Sequence, residues 1–339
     1  MDGPKLPANW EEGPTNSNRR RLVGCLGAAL TAPLPAFAQQ RRPRIAWMGM
    51  ASRSIGVSIL NPLLEGLAAL GYVPGRNFEL AEFWADSSRE KLERNSLEAA
   101  EARPALFISQ GLALSAVRKV SGATPVVFGM SADPVEAGIA KTIARPGGSF
   151  TGVSFLAYTL VGKRVELLKQ VAPAAKKLGV LSNSEHRGDA KELVETHAAA
   201  TGLGMQVAHF PATNAAEVER ALAAIAAAKC DALVVHPDGL MVEQRAVIAR
   251  FSLDRRVPMV SGWAVLADAG GLLTYGPVLS ECYRRLAYFV DRILRGAKPA
   301  DLPIEMPSVF ELVINVRSAR ELGIDVPASL LVRADRVIR

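Results

Sequence analysis

Ten residues of this chain have the type and placement to hold a small molecule: Ser52, Ser109, Gln110, Gly111, Met130, Ser131, Asp133, Asn183, Asp238 and Trp263. They supply hydroxyls, amides, carboxylates and one indole, which orient a polar ligand and do not by themselves break its bonds. Groups for catalysis are not assembled in the same way. The four histidines (His186, His197, His209 and His236) fall singly, without the spacing of metal ligands. No Gly-x-Ser-x-Gly nucleophile elbow occurs, and neither Cys230 nor Cys282 is paired with a histidine in the sequence. A binder with no metal and no cofactor is therefore expected. Asp133-Pro134-Val135-Glu136 is the sharpest local feature. Its spacing is that of a helix cap, with proline at the first helical position. The same carboxylate can face a ligand ammonium, and one oxygen is free for each role. Trp263 reads equally as cleft wall or as core. Arg145-Pro146-Gly147-Gly148 ends a helix and precedes a strand, the reverse of a phosphate loop.

The elements that must position these residues alternate. Strand-like runs are expected at 44–48, 77–83, 105–109, 125–129 and 150–154, then at 178–182, 205–210, 231–235, 258–261, 272–275 and 309–314. Helical stripes lie between many of them: Leu60, Leu63, Leu64 and Leu67 make one, and Leu279, Tyr283, Leu286, Val290, Ile293 and Leu294 another. Further helices are expected over 89–103, 161–171, 189–201, 242–253 and 317–322, and Asn214 with Glu217 forms a capping box. This alternation predicts an α/β fold with parallel sheets. About eleven strands exceed one comfortable open sheet at this length, so two doubly wound lobes are expected. Ligands bind beyond the carboxyl ends of such strands, where the ten residues lie.

The chain has 339 residues, 49% hydrophobic and 22% charged, a soluble globular balance. The net charge of +7 has no dense basic block behind it outside the N-terminus, and aromatics make up only 6%, so no nucleic-acid partner is expected. Residues 19–38 run from Arg19-Arg20-Arg21 through an apolar stretch to Ala36-Phe37-Ala38. That is the order of a secretory signal peptide, with cleavage expected after Ala38 and a periplasmic mature chain. The arginines loosely resemble a twin-arginine signal. Cys25 lies ahead of the apolar run, opposite to a lipoprotein box. Residues 1–18 form a polar extension. Cys230 and Cys282 are expected in different lobes as buried free thiols.

Several stretches resemble, in order, the type I periplasmic solute-binding proteins of ABC transporters, in the TrpX-like group. They are LEGLAALGYVPGRN (64–77), then DPV, ARPGG and GKRVELLK within 125–171, then AGGLLTYGP (269–277), ILRGAKPADLPIE (293–305), FELVIN (310–315), RELGI (320–324) and ASLLVRAD (328–335). The resemblance covers residues 43–339. It implies two lobes joined by a three-crossing hinge, with crossings near 154–156, 275–277 and 305–309. The N-terminal lobe would comprise 43–154 plus 276–306, and the C-terminal lobe 155–275 plus 307–339. It implies a small polar ligand, an amino acid or related molecule, held in the cleft by a monomer peripheral to the membrane. Its partners would be an ABC permease and the ATPase subunit. Carried over by motif, Asp133 is the expected ammonium partner, and Asn183 and Asp238 match polar strand exits of the second lobe. Ser109-Gln110-Gly111 departs from the Gly-Thr-Pro-like turn of relatives. A sugar-sensing repressor shares the architecture but needs an N-terminal DNA-binding motif. An extracytoplasmic sensor reporting to a membrane receptor is the alternative reading.

Overall fold

A computed structural model describes residue 1 and residues 42–339, apart from Leu156. The signal peptide expected over 19–38 lies outside the described residues.

Hydrophobic runs short enough for buried strands alternate with amphipathic stretches, and the chain folds accordingly. The first half gives β1 (Arg44–Gly49), α1 (Arg53–Ala69), β2 (Glu79–Trp84), α2 (Arg89–Glu101), β3 (Leu106–Gln110), α3 (Ala113–Val120), β4 (Val126–Met130) and β5 (Phe150–Ser154). These strands form one parallel sheet in the order β2-β1-β3-β4-β5. Alternate residues of a strand face opposite sides. Ile45 and Trp47 enter one core layer with Leu60, Leu63 and Leu67 of α1. Ala46 and Met48 enter the other, beside Leu92 of α2 and Val117 of α3. Burying each such leucine stabilises the fold by about 1.5–3 kcal/mol.

The second half gives α4 (Val161–Val171), β6 (Lys177–Ser182), α5 (Asp189–Gly202), β7 (Gln206–Pro211), α6 (Ala215–Ala227), β8 (Ala232–Val235), α7 (Gly239–Glu243), α8 (Arg245–Asp254), β9 (Met259–Ser261), α9 (Ala264–Asp268) and β10 (Leu273–Pro277). The chain then makes α10 (Leu279–Leu294), β11 (Phe310–Asn315), α11 (Val316–Leu322), α12 (Ala328–Arg333) and β12 (Arg336–Ile338). The second sheet has the order β12-β11-β10-β9-β8-β6-β7. It is parallel except that β11 runs antiparallel to β10. The path explains the exception. β10 leaves at its carboxyl end, α10 packs on α1 of the first lobe, and the chain must re-enter from the same end.

Three segments join the lobes, and they are tied to one another. The amides of Ser154 and Glu305 donate to the carbonyls of Glu305 and Gly152, both at 2.9 Å, and the Val278 amide donates to Val309. Arg164 of α4, only 1% exposed, donates from Nε to the Tyr275 carbonyl and from Nη1 to that of Ala157. It thereby fastens two crossings to the second lobe.

Several elements differ in detail from expectation. The stretch after Asp133 is a wide turn, not an α-helix: the Pro134 carbonyl accepts from the Ile139 and Ala140 amides, and Gly138 takes φ +65°. The helix expected at 242–253 breaks at Gln244 into α7 and α8. β12 adds a twelfth strand, three residues long. Cys230 and Cys282 are buried and unpaired. Among the described residues no helix is long and apolar enough to cross a membrane.

Candidate functional site

Strand order reverses beside β1 in the first sheet and beside β6 in the second, and at such points the departing chains open a crevice. The carboxyl ends of both sheets meet there in a cleft of about 640 Å³. From the first lobe come Met50 and Ala51 after β1, Gln110 and Gly111 at the end of β3, and Met130 and Ser131 at the end of β4. From the second come Asn183 after β6, Asp238 after β8 and Trp263 after β9.

Seven of the ten residues singled out in the sequence therefore lie together: Gln110, Gly111, Met130, Ser131, Asn183, Asp238 and Trp263. Ser52, Ser109 and Asp133 are not among the lining residues. Ser52 starts α1, and its hydroxyl is 3.0 Å from that of Ser54. Ser109 alternates with Gln110 along β3, so strand geometry turns it away, 1% exposed. Asp133 spends Oδ1 on the amides of Val135 (2.8 Å) and Glu136 (3.3 Å), which is the capping half of its expected role.

The hinge side of the cleft is aromatic. Phe155 packs edge-on to Trp263, with centroids 6.5 Å apart at 87°, and lies 6.1 Å from Tyr283. Ile55, Ile59, Leu112, Val242, Val265 and Leu279 extend this apolar wall. Gly129 lets Phe155 come close, since a Cβ there would stand 3.2 Å from the tip of its ring, tighter than an ordinary contact.

The polar end belongs to the second lobe. Asp238 caps α7, and its Oδ1 accepts from the Leu240 amide at 2.9 Å and from Asn183 Nδ2 at 2.8 Å. Glu243 is half-buried and accepts from the Ser87 hydroxyl across the cleft. Burial pushes the Glu243 carboxyl up, and Asp238 and Asp86 add to the rise against the Ser87 hydrogen bond. Four carboxylates line the cleft (Asp238, Glu243, Asp268 and Glu311), and no described lining residue is Lys or Arg. Asp268 is paired with Arg336 at 2.6 Å, whereas Asp238 and Glu243 have no cationic partner among the described residues. This end thus favours a cation over an anion.

Behind that wall runs a buried polar layer. His186 lines the cleft, and its Nδ1 stands 3.6 Å from Glu192 Oε1. Burial holds both His186 and His236 below the ordinary imidazole range. Thr196 and His236 Nε2 are 3.0 Å apart, and His236 Nδ1 is 3.4 Å from Asp189. Neither Glu192 oxygen has a hydrogen-bond partner, and burial pushes this carboxyl up to about 8 against the pull of Arg164. Nothing in the sequence around Glu192 distinguishes it from an exposed helix residue. Phe155, Tyr283 and Glu243 were likewise not readable as site residues. Their apolar or helical context carries no such signal; the chain crossings bring Phe155 and Tyr283 to the cleft, and the short helix α7 brings Glu243. Among the described residues no group of three or more His, Cys, Asp or Glu could hold a metal.

Comparison with known proteins agrees with this architecture. A solved domain from Streptococcus pneumonia, in complex with L-Trp, superposes with a TM-score of 0.81 at 24% identity, covering 88% of this chain and all of that one. A conserved domain protein from Vibrio cholerae gives 0.82 at 24% identity with the same coverage. These likenesses are of fold: two α/β lobes of the type I periplasmic binding proteins. A curated tyrosine-binding protein of Clostridioides difficile (strain R20291) is 25% identical over 198 residues. That alignment takes in 58% of this chain and 56% of the relative, so the match spans just over half of the relative's length. The family model described as ABC transporter substrate binding protein matches residues 56–338, and the chain belongs to that family.

Proposed function

We propose that this chain is the extracytoplasmic solute-binding component of an ABC importer, and that its ligand is an amino acid with an apolar, preferably aromatic, side chain. The observation that carries the reading is the division of the cleft into an aromatic hinge side, where Phe155, Trp263 and Tyr283 meet, and a carboxylate end on the second lobe. The ammonium binds Asp238, which Asn183 orients, and the side chain lies between Phe155 and Trp263 on one side and Leu112 and Met130 of the first lobe on the other. Contacts divided between lobes favour the closed form, because only closure completes them. The closed protein then docks on a membrane permease whose ATPase subunit supplies the work. Export by the signal expected over 19–38 puts the mature chain where such a partner is reached. The tyrosine-binding and L-Trp-bound relatives support the ligand class.

The test is a thermal-shift and calorimetric screen of the chain against the amino acids and against aromatic acids lacking an amine. Tryptophan or tyrosine should stabilise it, and the amine-free acids should not. Asp238→Asn keeps the cap of α7 and removes the charge. A lost charge-assisted hydrogen bond, about 1.5–3 kcal/mol, corresponds to at least tenfold weaker amino-acid binding. Equal binding of amine-free acids, or an Asp238→Asn variant of unchanged affinity, contradicts the reading.

A further inference from the structure

We infer that Tyr283 locks Gln110 with its amide nitrogen toward the cleft, so that the first lobe reads a hydrogen-bond acceptor and selects ligands that carry a carboxylate as well as an amine. This rests on the amino-acid reading above and adds the group recognised opposite Asp238.

Gln110 ends β3 and is half-buried in the cleft lining. Its side chain has two chemically opposite ends, and only one can face a ligand. The Tyr283 hydroxyl, on α10, donates to Oε1 of Gln110. Tyr283 is 3% exposed, and its hydroxyl has no other acceptor among the described residues. A buried hydroxyl proton without an acceptor is costly, so the amide oxygen must turn to it. Burial also pushes the phenol pKa up, which keeps the proton in place. Nε2 makes no hydrogen bond to any described residue and remains as a paired N–H donor at the cleft. The ring is packed on two sides, 6.4 Å from Trp47 and 6.1 Å from Phe155. With no Lys or Arg in the lining, Gln110 is the first lobe's strongest fixed donor for a carboxylate, and the Ser131 hydroxyl lies one strand away. The cleft is then polarised across the lobes, donor on the first and acceptor on the second, matching a zwitterion.

Calorimetry with matched pairs tests this: L-tryptophan with tryptamine, and L-tyrosine with tyramine. The wild-type chain should bind the amino acid at least tenfold better than its amine. Tyr283→Phe frees the amide to turn, so amino-acid affinity should fall about tenfold while the amine is nearly unaffected, taking the ratio toward one. Gln110→Glu keeps the Tyr283 hydrogen bond but offers an oxygen to the cleft. It should reverse the preference, losing the amino acid and gaining the amine. A merely structural Tyr283 would weaken both ligands together. Wild-type chain that binds amino acid and amine alike, or variants that keep the wild-type ratio, overturn the inference and leave the proposed function standing. Binding of neither member of both pairs overturns the aromatic amino-acid reading itself.

Discussion

Asp133 and Glu192 look alike in sequence, each an acid near a helix start, yet the fold assigns them different work. Asp133 accepts from two amides of its own turn. Asp133→Ala should cost about 1 kcal/mol of stability, as caps do, and chemical denaturation measures it. Ligand affinity should stay within twofold of wild type if Asp133 acts only on that turn. Glu192 is 1% exposed, and neither of its oxygens accepts a hydrogen bond, His186 Nδ1 standing 3.6 Å away. Its carboxyl titrates near 4.5 when unfolded and is pushed up to about 8 by burial in the folded chain. The folded state therefore holds a proton that the unfolded chain releases between those values. Its stabilising contribution is complete below about pH 4.5 and is lost progressively as pH rises through about 8. Glu192→Gln should match wild type near pH 5 and melt several degrees higher near pH 8. Melting curves that fall in parallel for both proteins would refute the assignment.

At the scale of elements the sequence is most legible, because periodicity is a local property. The strands after Arg44, Ala105 and Pro125 were visible as short apolar runs, and the stripe on α10 as a repeat of three and four. Short elements escaped for the same reason. α3 has eight residues between two buried strands, and β12 has three, paired with β11 and tied by Arg336 to Asp268. The first residues of the Asp133 turn carry helix-start chemistry, while Gly138 and the Pro134 carbonyl redirect the chain later. The cleft lining is legible wherever a polar residue follows a strand directly, as at Gln110, Ser131, Asn183 and Asp238. It is illegible where long-range packing delivers the group, as with Tyr283 from α10. That helix is held against α1 by a close approach: a Cβ on Gly66 would stand 2.6 Å from the Arg284 carbonyl and 2.9 Å from Ala287 Cβ. Gly66→Val should force the helices apart and cost about 1–3 kcal/mol, seen as a lower denaturation midpoint. Because Tyr283 rides on the displaced helix, ligand affinity should fall as well, which a remote core defect of equal cost would not produce.

The whole molecule poses a question of balance between its lobes. Contacts reach across the cleft mouth at several points. Arg89 pairs with Glu185, Lys191 with Glu136 at 2.6 Å, and Arg187 Nη1 donates to the Ala137 carbonyl at 3.2 Å. The structure therefore has its lobes drawn together. Those ion pairs are exposed, with Arg89 59% and Glu136 59% accessible, and such pairs contribute about 0–1 kcal/mol each. They can bias closure but not enforce it, and salt screens them. On the proposed reading, a ligand bridging Gln110 and Asp238 adds interactions that exist only when the lobes meet, so it must supply most of the preference. Small-angle scattering should show the unliganded chain expanding between low salt and about 1 M salt, where the screening length falls to about 3 Å. Saturating ligand should restore the compact curve calculated from this structure at both salt concentrations. Lys191→Glu, which places like charges across the mouth, should widen the unliganded form and weaken binding only a fewfold. Scattering indifferent to saturating ligand would leave a rigid receptacle whose shape could not signal occupancy to the proposed permease.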